Sequence, residues 1–585
     1  MGNILVRRKP AMNTIHVSVS EKGLDDKLRR SSTTTSLTNI SAIHFVEVPE
    51  ADRANQYQIW ALGILIVMGG QFYGWNAAWS AGFVPFFVAQ VLMGLTYIVY
   101  VSCLSEIGSK VTGGSYGLNR AVLGLYPGFI LGCLELMEYI SMASVSVLYV
   151  ANFITTTYNW DENLQPLIWL VFYVVFIAIL NIPGRYLYSF LFVFNFVGIL
   201  VPTLLFIVSA LPHTDFAANA VVVDPDTNAT TWAAGDIATS LFGILPLTTT
   251  GYAGIESLTV CTNFARNPTK SIPWGSLWGV RTLFVINITL VLIVASLPPG
   301  ITTSVNDDFL LNTGYQLGLG LSPEAASWLI MPAQMSMAFG FFIPYSHLMQ
   351  AMADSNLLPS RLNLRGQPTS FRAMVVGSLF GYLLCVISFV SPAFQTNLQN
   401  LSLLSASLVY GAVTYGFTLL RTSYKVESTT GFISPFGIPG AYFVCFVYFF
   451  LFVSIAGGFQ GDDGLAASSL FGFIVLLTLY YHKCAKTTQT FSEAEYKSIF
   501  KFCVMKYNKD REKIRSRRNS QTSSSHLVVS PAMEALLAVA SKDRKYRSSI
   551  GRGSVGRTSN VSASERLASL SKMPTVKTIG SNQTT

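Results

Sequence analysis

Charge is what this sequence has least of. Only 12% of its 585 residues are Asp, Glu, Lys or Arg, against about 25% in soluble globular proteins. Hydrophobic residues make up 51%, and the mean hydropathy is +0.45. That balance excludes a soluble domain and leaves a polytopic membrane protein. Cysteine is also sparse, at seven. Cys103, Cys133, Cys261, Cys385 and Cys445 fall in apolar runs, and Cys484 and Cys503 lie just beyond the last run. None falls in an acidic loop, so no disulfide framework is expected, and none shows metal-ligand spacing. No cluster of His, Cys or Ser nucleophiles stands in the polar loops, which argues against an enzyme, and no cofactor is expected. The first 50 residues contain no apolar core of a signal peptide, and Val6 stands where a myristoylation motif wants Ser or Thr.

What the chain has is long apolar runs. About twelve are long enough to span a bilayer, at 58–84, 86–107, 121–154, 166–182, 186–211, 237–265, 275–297, 325–352, 372–391, 397–420, 436–456 and 465–482. The fold class expected is an all-α membrane protein. Its organisation is an N-terminal tail (1–56), a core of ten spans (57–421), two further spans (422–482) and a basic, Ser-rich C-terminal tail (483–585).

Charge sign supplies the orientation. Residues 54–482 contain eleven Lys and Arg, all of which fall in alternate loops, from Lys110, Arg120 and Arg185 to Arg421 and Lys425. The other loops carry acids such as Asp161, Asp215, Asp308 and Asp463 and no basic residue. The positive-inside rule places both termini in the cytoplasm, with the plasma membrane the expected location. The basic tails suit anionic membrane lipid better than nucleic acid. Residues 493–508 read as a basic amphipathic helix on the inner leaflet, with Tyr496, Phe500, Cys503, Val504 and Tyr507 on one stripe. Asn228 begins a sequon in an outer loop and is the glycosylation candidate. Ser32 and Ser520, behind paired arginines, are candidate phosphorylation sites.

Two runs are interrupted. The first has Gly69, Gly70 and Gly74 within six residues, and the sixth has Gly251-Tyr-Ala-Gly254 halfway along. Glycines of this kind serve close helix packing or helix breaks, and paired clusters five spans apart favour breaks. Discontinuous helices one and six are the signature of a carrier built from inverted five-helix repeats, 5+5 plus two. A break at membrane depth frees backbone groups that lipid cannot satisfy, so it lines a site. The expected substrate-binding residues are Gly69, Gly70, Phe72, Tyr73 and Gly74 with Gly251, Tyr252, Ala253 and Gly254. A half-helix starting near Tyr73 suits a carboxylate, and the carbonyls of 251–253 suit an ammonium. No Lys or Arg stands at that depth to compete.

Glu256 follows the second break directly. A carboxylate at mid-helix costs about 2.5–3.5 kcal/mol to insert and is rarely decorative. Burial disfavours its charged form, which makes it the candidate carrier of a coupling proton. Glu135 and Glu138 share one face of the third span. They either line the cavity, or instead sit near an interface or pair with Asn195 or with Thr and Tyr hydroxyls.

Three motifs then resemble one family. Gly251-Tyr-Ala-Gly-Ile-Glu-Ser257 with Asn267, Pro268, Lys270, Ile272, Pro273 and Gly275 looks like the span-six signature of the amino acid–polyamine–organocation superfamily. Glu106, Gly113, Gly114 and Tyr116 resemble its turn after span two, without the usual proline. Met352-Ala-Asp-Ser-Asn-Leu-Leu-Pro359 is similar to its span-eight ending. Phe72-Tyr-Gly-Trp-Asn76 and Leu134-Glu-Leu-Met-Glu-Tyr139 resemble the ethanolamine-permease branch, and Gly254-Ile-Glu-Ser257 resembles an arginine–agmatine exchanger. The resemblance implies a secondary transporter of amino acids or small amines, coupled to protons or working by exchange. It does not transfer a substrate, because Gly69-Gly-Gln-Phe72 and Thr262-Asn263 depart from the family pattern.

Overall fold

Among the described residues, ten helices are long and apolar enough to cross a membrane, and two shorter apolar helices, Gln56–Gly70 and Ile237–Thr249, belong to the runs with glycine clusters. The twelve expected spans are therefore present, and the two expected to be discontinuous are the two that fall short. This computed structural model describes residues 49–71, 75–110, 114–223, 229–305, 310–362, 371–424, 431–461 and 463–518. All of them lie within one compact unit, 41–533. Phe72, Tyr73, Gly74, Asn228, Ser32 and Ser520 fall outside the described residues.

The spans start where local chemistry supplies a cap. Asn55 accepts from the backbone of Tyr57 and Gln58, with Gln58 reaching back to its N–H, and so opens span one. Asp236 accepts from Thr239 N at 2.9 Å and opens span six. Ser322 caps span eight, with Pro323 in its first turn.

Burial separates the spans into an inner and an outer set. The most apolar window of span three (Leu125–Tyr158) is 89% buried, and that of span twelve (Leu465–Thr488) is 17% buried. Span three packs against spans eight and ten, Pro323–Asp354 and Pro392–Tyr424. It is polar for a membrane helix, with Glu135, Glu138, Ser141, Ser144 and Ser146 all buried. Spans four and five turn large side chains such as Val174, Val197 and Leu204 outward. With no driving force between apolar helices in lipid, polar and small residues mark the inner spans. A two-residue antiparallel pair, Val222–Val223 with Thr230–Thr231, forms the only named strands among the described residues and lies between spans five and six.

One end of the bundle carries the basic residues, and there the two broken spans are tied together. Ala54 N donates to Phe264 O at 2.6 Å, and Arg266 N donates back to Ala54 O at 2.8 Å. Beside this, Glu106 at the end of span two (Phe83–Lys110) is saturated. It takes Lys110 at 3.1 Å, Arg421 at 2.6 Å and the Ser434 N–H at 2.8 Å. The family motif around Glu106 is thus a clamp joining spans two and ten to the segment before span eleven.

The C-terminal helix, Glu493–Arg518, differs from a simple lipid-lying helix. One face packs onto the protein: Glu495 pairs with Arg120 at 3.1 Å, and Ile499, Phe502 and Cys503 are buried. Tyr496, Phe500, Val504 and Tyr507 stay exposed. The expected stripe is therefore split, with Cys503 turned to the protein.

Candidate functional site

Both breaks form, and they touch. Span one runs as an α-helix over Gln56–Val67, tightens to 3₁₀ over Met68–Gln71, and resumes as 3₁₀ over Trp75–Ala81. Span six is helical over Ile237–Thr249, turns through 250–254, and continues as 3₁₀ over Ile255–Phe264. A Cβ on Gly70 would lie 2.2 Å from the Thr250 carbonyl oxygen, and one on Gly69 would lie 2.5 Å from Met337 Cβ. Gly254 has φ +108°, and a Cβ there would meet the Phe341 ring at 2.7 Å. These glycines allow backbone to approach backbone between spans one, six and eight, and only at Gly254 does φ itself require glycine.

The freed carbonyls are partly used. Gly251 O accepts from Asn287 Nδ2 of span seven at 2.9 Å, and Tyr252 O accepts from Ile255 N at 3.4 Å. A carbonyl oxygen carries two lone pairs and can serve more than one donor. Tyr252 is fully buried and stacks on Tyr97 with ring centres 5.5 Å apart. Its hydroxyl reaches span two at Gly94, where a Cβ would lie 2.6 Å away.

Glu256 turns its carboxyl back to the break. Both oxygens accept from Gly254 N at 3.0 Å. Glu138 and Tyr410 stand close enough to the same carboxyl to interact with it electrostatically. Tyr410, on span ten, donates to Glu138 Oε1. Glu135 accepts from Ser115 Oγ at 2.5 Å and Tyr139 Oη at 2.9 Å. Glu135, Glu138 and Glu256 are each at most 4% exposed. Among the described residues no salt bridge reaches any of the three. Two carboxyl groups this close cannot both hold full charge without a proton or a cation between them.

The structure thus brings together residues from spans three, six and ten that are widely separated in sequence. Of the two alternatives for Glu135 and Glu138, hydroxyl pairing is realised for both, and Glu138 also faces Glu256. Asn195 is not among their partners. It sits in a π-helical stretch of span five, Asn195–Leu200, packed against spans one and eight, with both amide atoms buried. Sequence reasoning missed Tyr410 and Asn287. Asn287 had a signal, as a lone amide in an apolar run; Tyr410 is one of many tyrosines and had none. Around Tyr410 gather Tyr100 at 4.9 Å and Tyr448 at 5.0 Å, with Tyr97 at 6.0 Å. The hydroxyls of Tyr97, Tyr100 and Tyr448 and one oxygen each of Glu135 and Glu138 are buried without a hydrogen-bond partner.

No group of three or more His, Cys, Asp or Glu able to hold a metal ion occurs among the described residues.

Comparison with known proteins agrees with this architecture. The sequence pattern of the amino acid permease family matches residues 58–493. An uncharacterised transporter of Rhizobium meliloti is 24% identical over 74% of this chain and 93% of its own length. General amino acid permease AGP1 of Saccharomyces uvarum is 22% identical over 72% of this chain and 71% of its own. The crystal structure of a manganese transporter from Eremococcus coleocola superposes with a TM-score of 0.50 at 14% identity, covering 77% of this chain and 95% of that one. That likeness concerns the fold alone.

Proposed function

We propose that this chain, which belongs to the amino acid permease family and is a multi-pass transporter, moves amino acids or related small amines by alternating access. In this reading the substrate sits between the broken spans, with its amine on the carbonyls of 251–253. Glu256 and Glu138 carry the coupling proton. The observation that carries the reading is the meeting of Glu138, Tyr410 and Glu256 at the break, with hydroxyl and N–H partners and no fixed cation.

A proton shared by that pair is released when the spans separate, so its occupancy follows the conformation of the carrier. The family relation and the transporter relatives support transport over catalysis. The sorting of charge between alternate loops supports cytoplasmic termini, and the plasma membrane is the location to test first by microscopy. Three buried carboxyls at the site, with no Lys or Arg at that depth, favour a second reading: a carrier of cationic amines such as ethanolamine or a polyamine.

Uptake by proteoliposomes of labelled amino acids, ethanolamine and putrescine at two pH values separates these readings. Amino acid uptake that rises with an inward proton gradient supports the first, and uptake of the amines alone supports the second. Binding without flux contradicts both and describes a receptor.

A further inference from the structure

A groove of about 580 Å³ opens beside span seven, Pro268–Ala295, at the basic end of the bundle. Its wall on span seven is a single stripe: Lys270, Trp274, Trp278 and Arg281 stand at i, i+4, i+8 and i+11, on one helical face. The two cations are about 16 Å apart along the axis. Gly431 and Phe432, from the segment before span eleven, form the opposite side. That side is fixed, because Phe432 N donates to Ser109 Oγ at 3.1 Å.

The stripe is built rather than loose. Trp274 packs edge-on against Tyr57 at 5.0 Å and lies 6.2 Å from Trp278. The Arg281 guanidinium sits 5.4 Å over the Trp278 ring, which remains 47% exposed. Among the described residues, neither Lys270 nor Arg281 has an acidic partner, whereas the buried cations Lys110, Arg120 and Arg421 each do. Two uncompensated cations bracketing an indole-lined groove call for an anion with an apolar body. Beyond Arg281 the helix continues with exposed Val285, an apolar surface at the depth of the lipid chains.

We propose that this groove binds the phosphate headgroup of an anionic lipid of the leaflet at the basic end. Arg281, held over Trp278, takes the phosphate, and Lys270 adds positive potential further out where the headgroup meets water. Trp274 and Trp278 flank the headgroup, and an acyl chain starts along Val285. Basic pockets between spans bind anionic headgroups in this way, and indoles favour that depth.

Native mass spectrometry of the delipidated full chain, with phosphatidylglycerol or phosphatidylcholine added back, tests the site independently of the transported substrate. The intact protein retains one phosphatidylglycerol in preference to phosphatidylcholine. Lys270→Gln and Arg281→Gln each weaken that retention about fivefold, whereas Lys483→Gln with Lys486→Gln, exposed cations at the end of span twelve, do not. Quenching of tryptophan fluorescence by brominated phosphatidylglycerol falls in Trp278→Phe. Equal retention of both lipids, or retention unchanged in the Lys270 and Arg281 variants, overturns the proposal. Displacement of the lipid by millimolar inorganic phosphate or glycerophosphate also overturns it, because the site would then be one for a soluble anion.

Discussion

Glu106 and Glu256 are the same side chain at nearly the same burial, 2% and 4% exposed, and their company could hardly differ more. Glu106 has Lys110 and Arg421 against it and the Ser434 N–H as well. Glu256 has one backbone N–H, a tyrosine and another carboxyl. A buried carboxylate with two cations against it holds its partners in place. One without any cation suits, in the proposed reading, a group that takes up and gives back a proton. The difference separates a clamp from a moving part: position in the fold makes both acids buried, and only the neighbours assign the role.

Changing each acid in turn breaks the comparison or sharpens it. Glu106→Gln removes the carboxylate with which both Lys110 and Arg421 pair, a loss of about 3–5 kcal/mol from a total stability of about 5–15 kcal/mol. The variant is expected to lose most of its folded yield in size-exclusion chromatography. Glu138→Gln keeps shape and removes a titrating group. It is expected to fold normally and to lose about tenfold or more in uptake, which initial rates would measure. Tyr410→Phe removes one hydroxyl from the pair and should cost a few-fold in uptake, about 1.4 kcal/mol at most, with surface expression unchanged. A fully active Glu138→Gln would reduce Glu138 to packing.

The breaks, the number of spans and Glu256 were legible in the chain because each is local. Glycines cluster, apolar runs have a countable length, and an acid inside a run stands out. The partnership of Glu138 with Tyr410 was not legible, because hydropathy shows that a helix is buried and not which helix faces it; the two lie 272 residues apart. Asn287 stands out in the sequence only as a lone amide in an apolar run, and its partner, the Gly251 carbonyl 36 residues away, is set by the fold. Glu106 was visible as a motif, but its clamp depends on residues 315 and 328 positions away.

The C-terminal helix shows the same limit. Its apolar stripe was read as facing lipid, and the Arg120–Glu495 pair, itself a buried and compensated contact, turns part of it inward. Burial pushes the Cys503 thiol above its ordinary pKa, so it reacts slowly while the helix is docked. Glu495→Gln weakens the docking and is expected to raise the rate of Cys503 alkylation about tenfold, with exposed Cys484 as the internal reference. An unchanged ratio of the two rates would show that the pair does not hold the helix. This change leaves transport chemistry untouched.

The most direct test of the contrast between clamp and moving part is the pH dependence of uptake in Glu256→Gln, measured in proteoliposomes between pH 5 and 8. A wild-type rate that varies with pH and a flat residual rate in the variant are the predicted results. A variant that follows the wild-type profile would contradict the assignment of the coupling proton to Glu256.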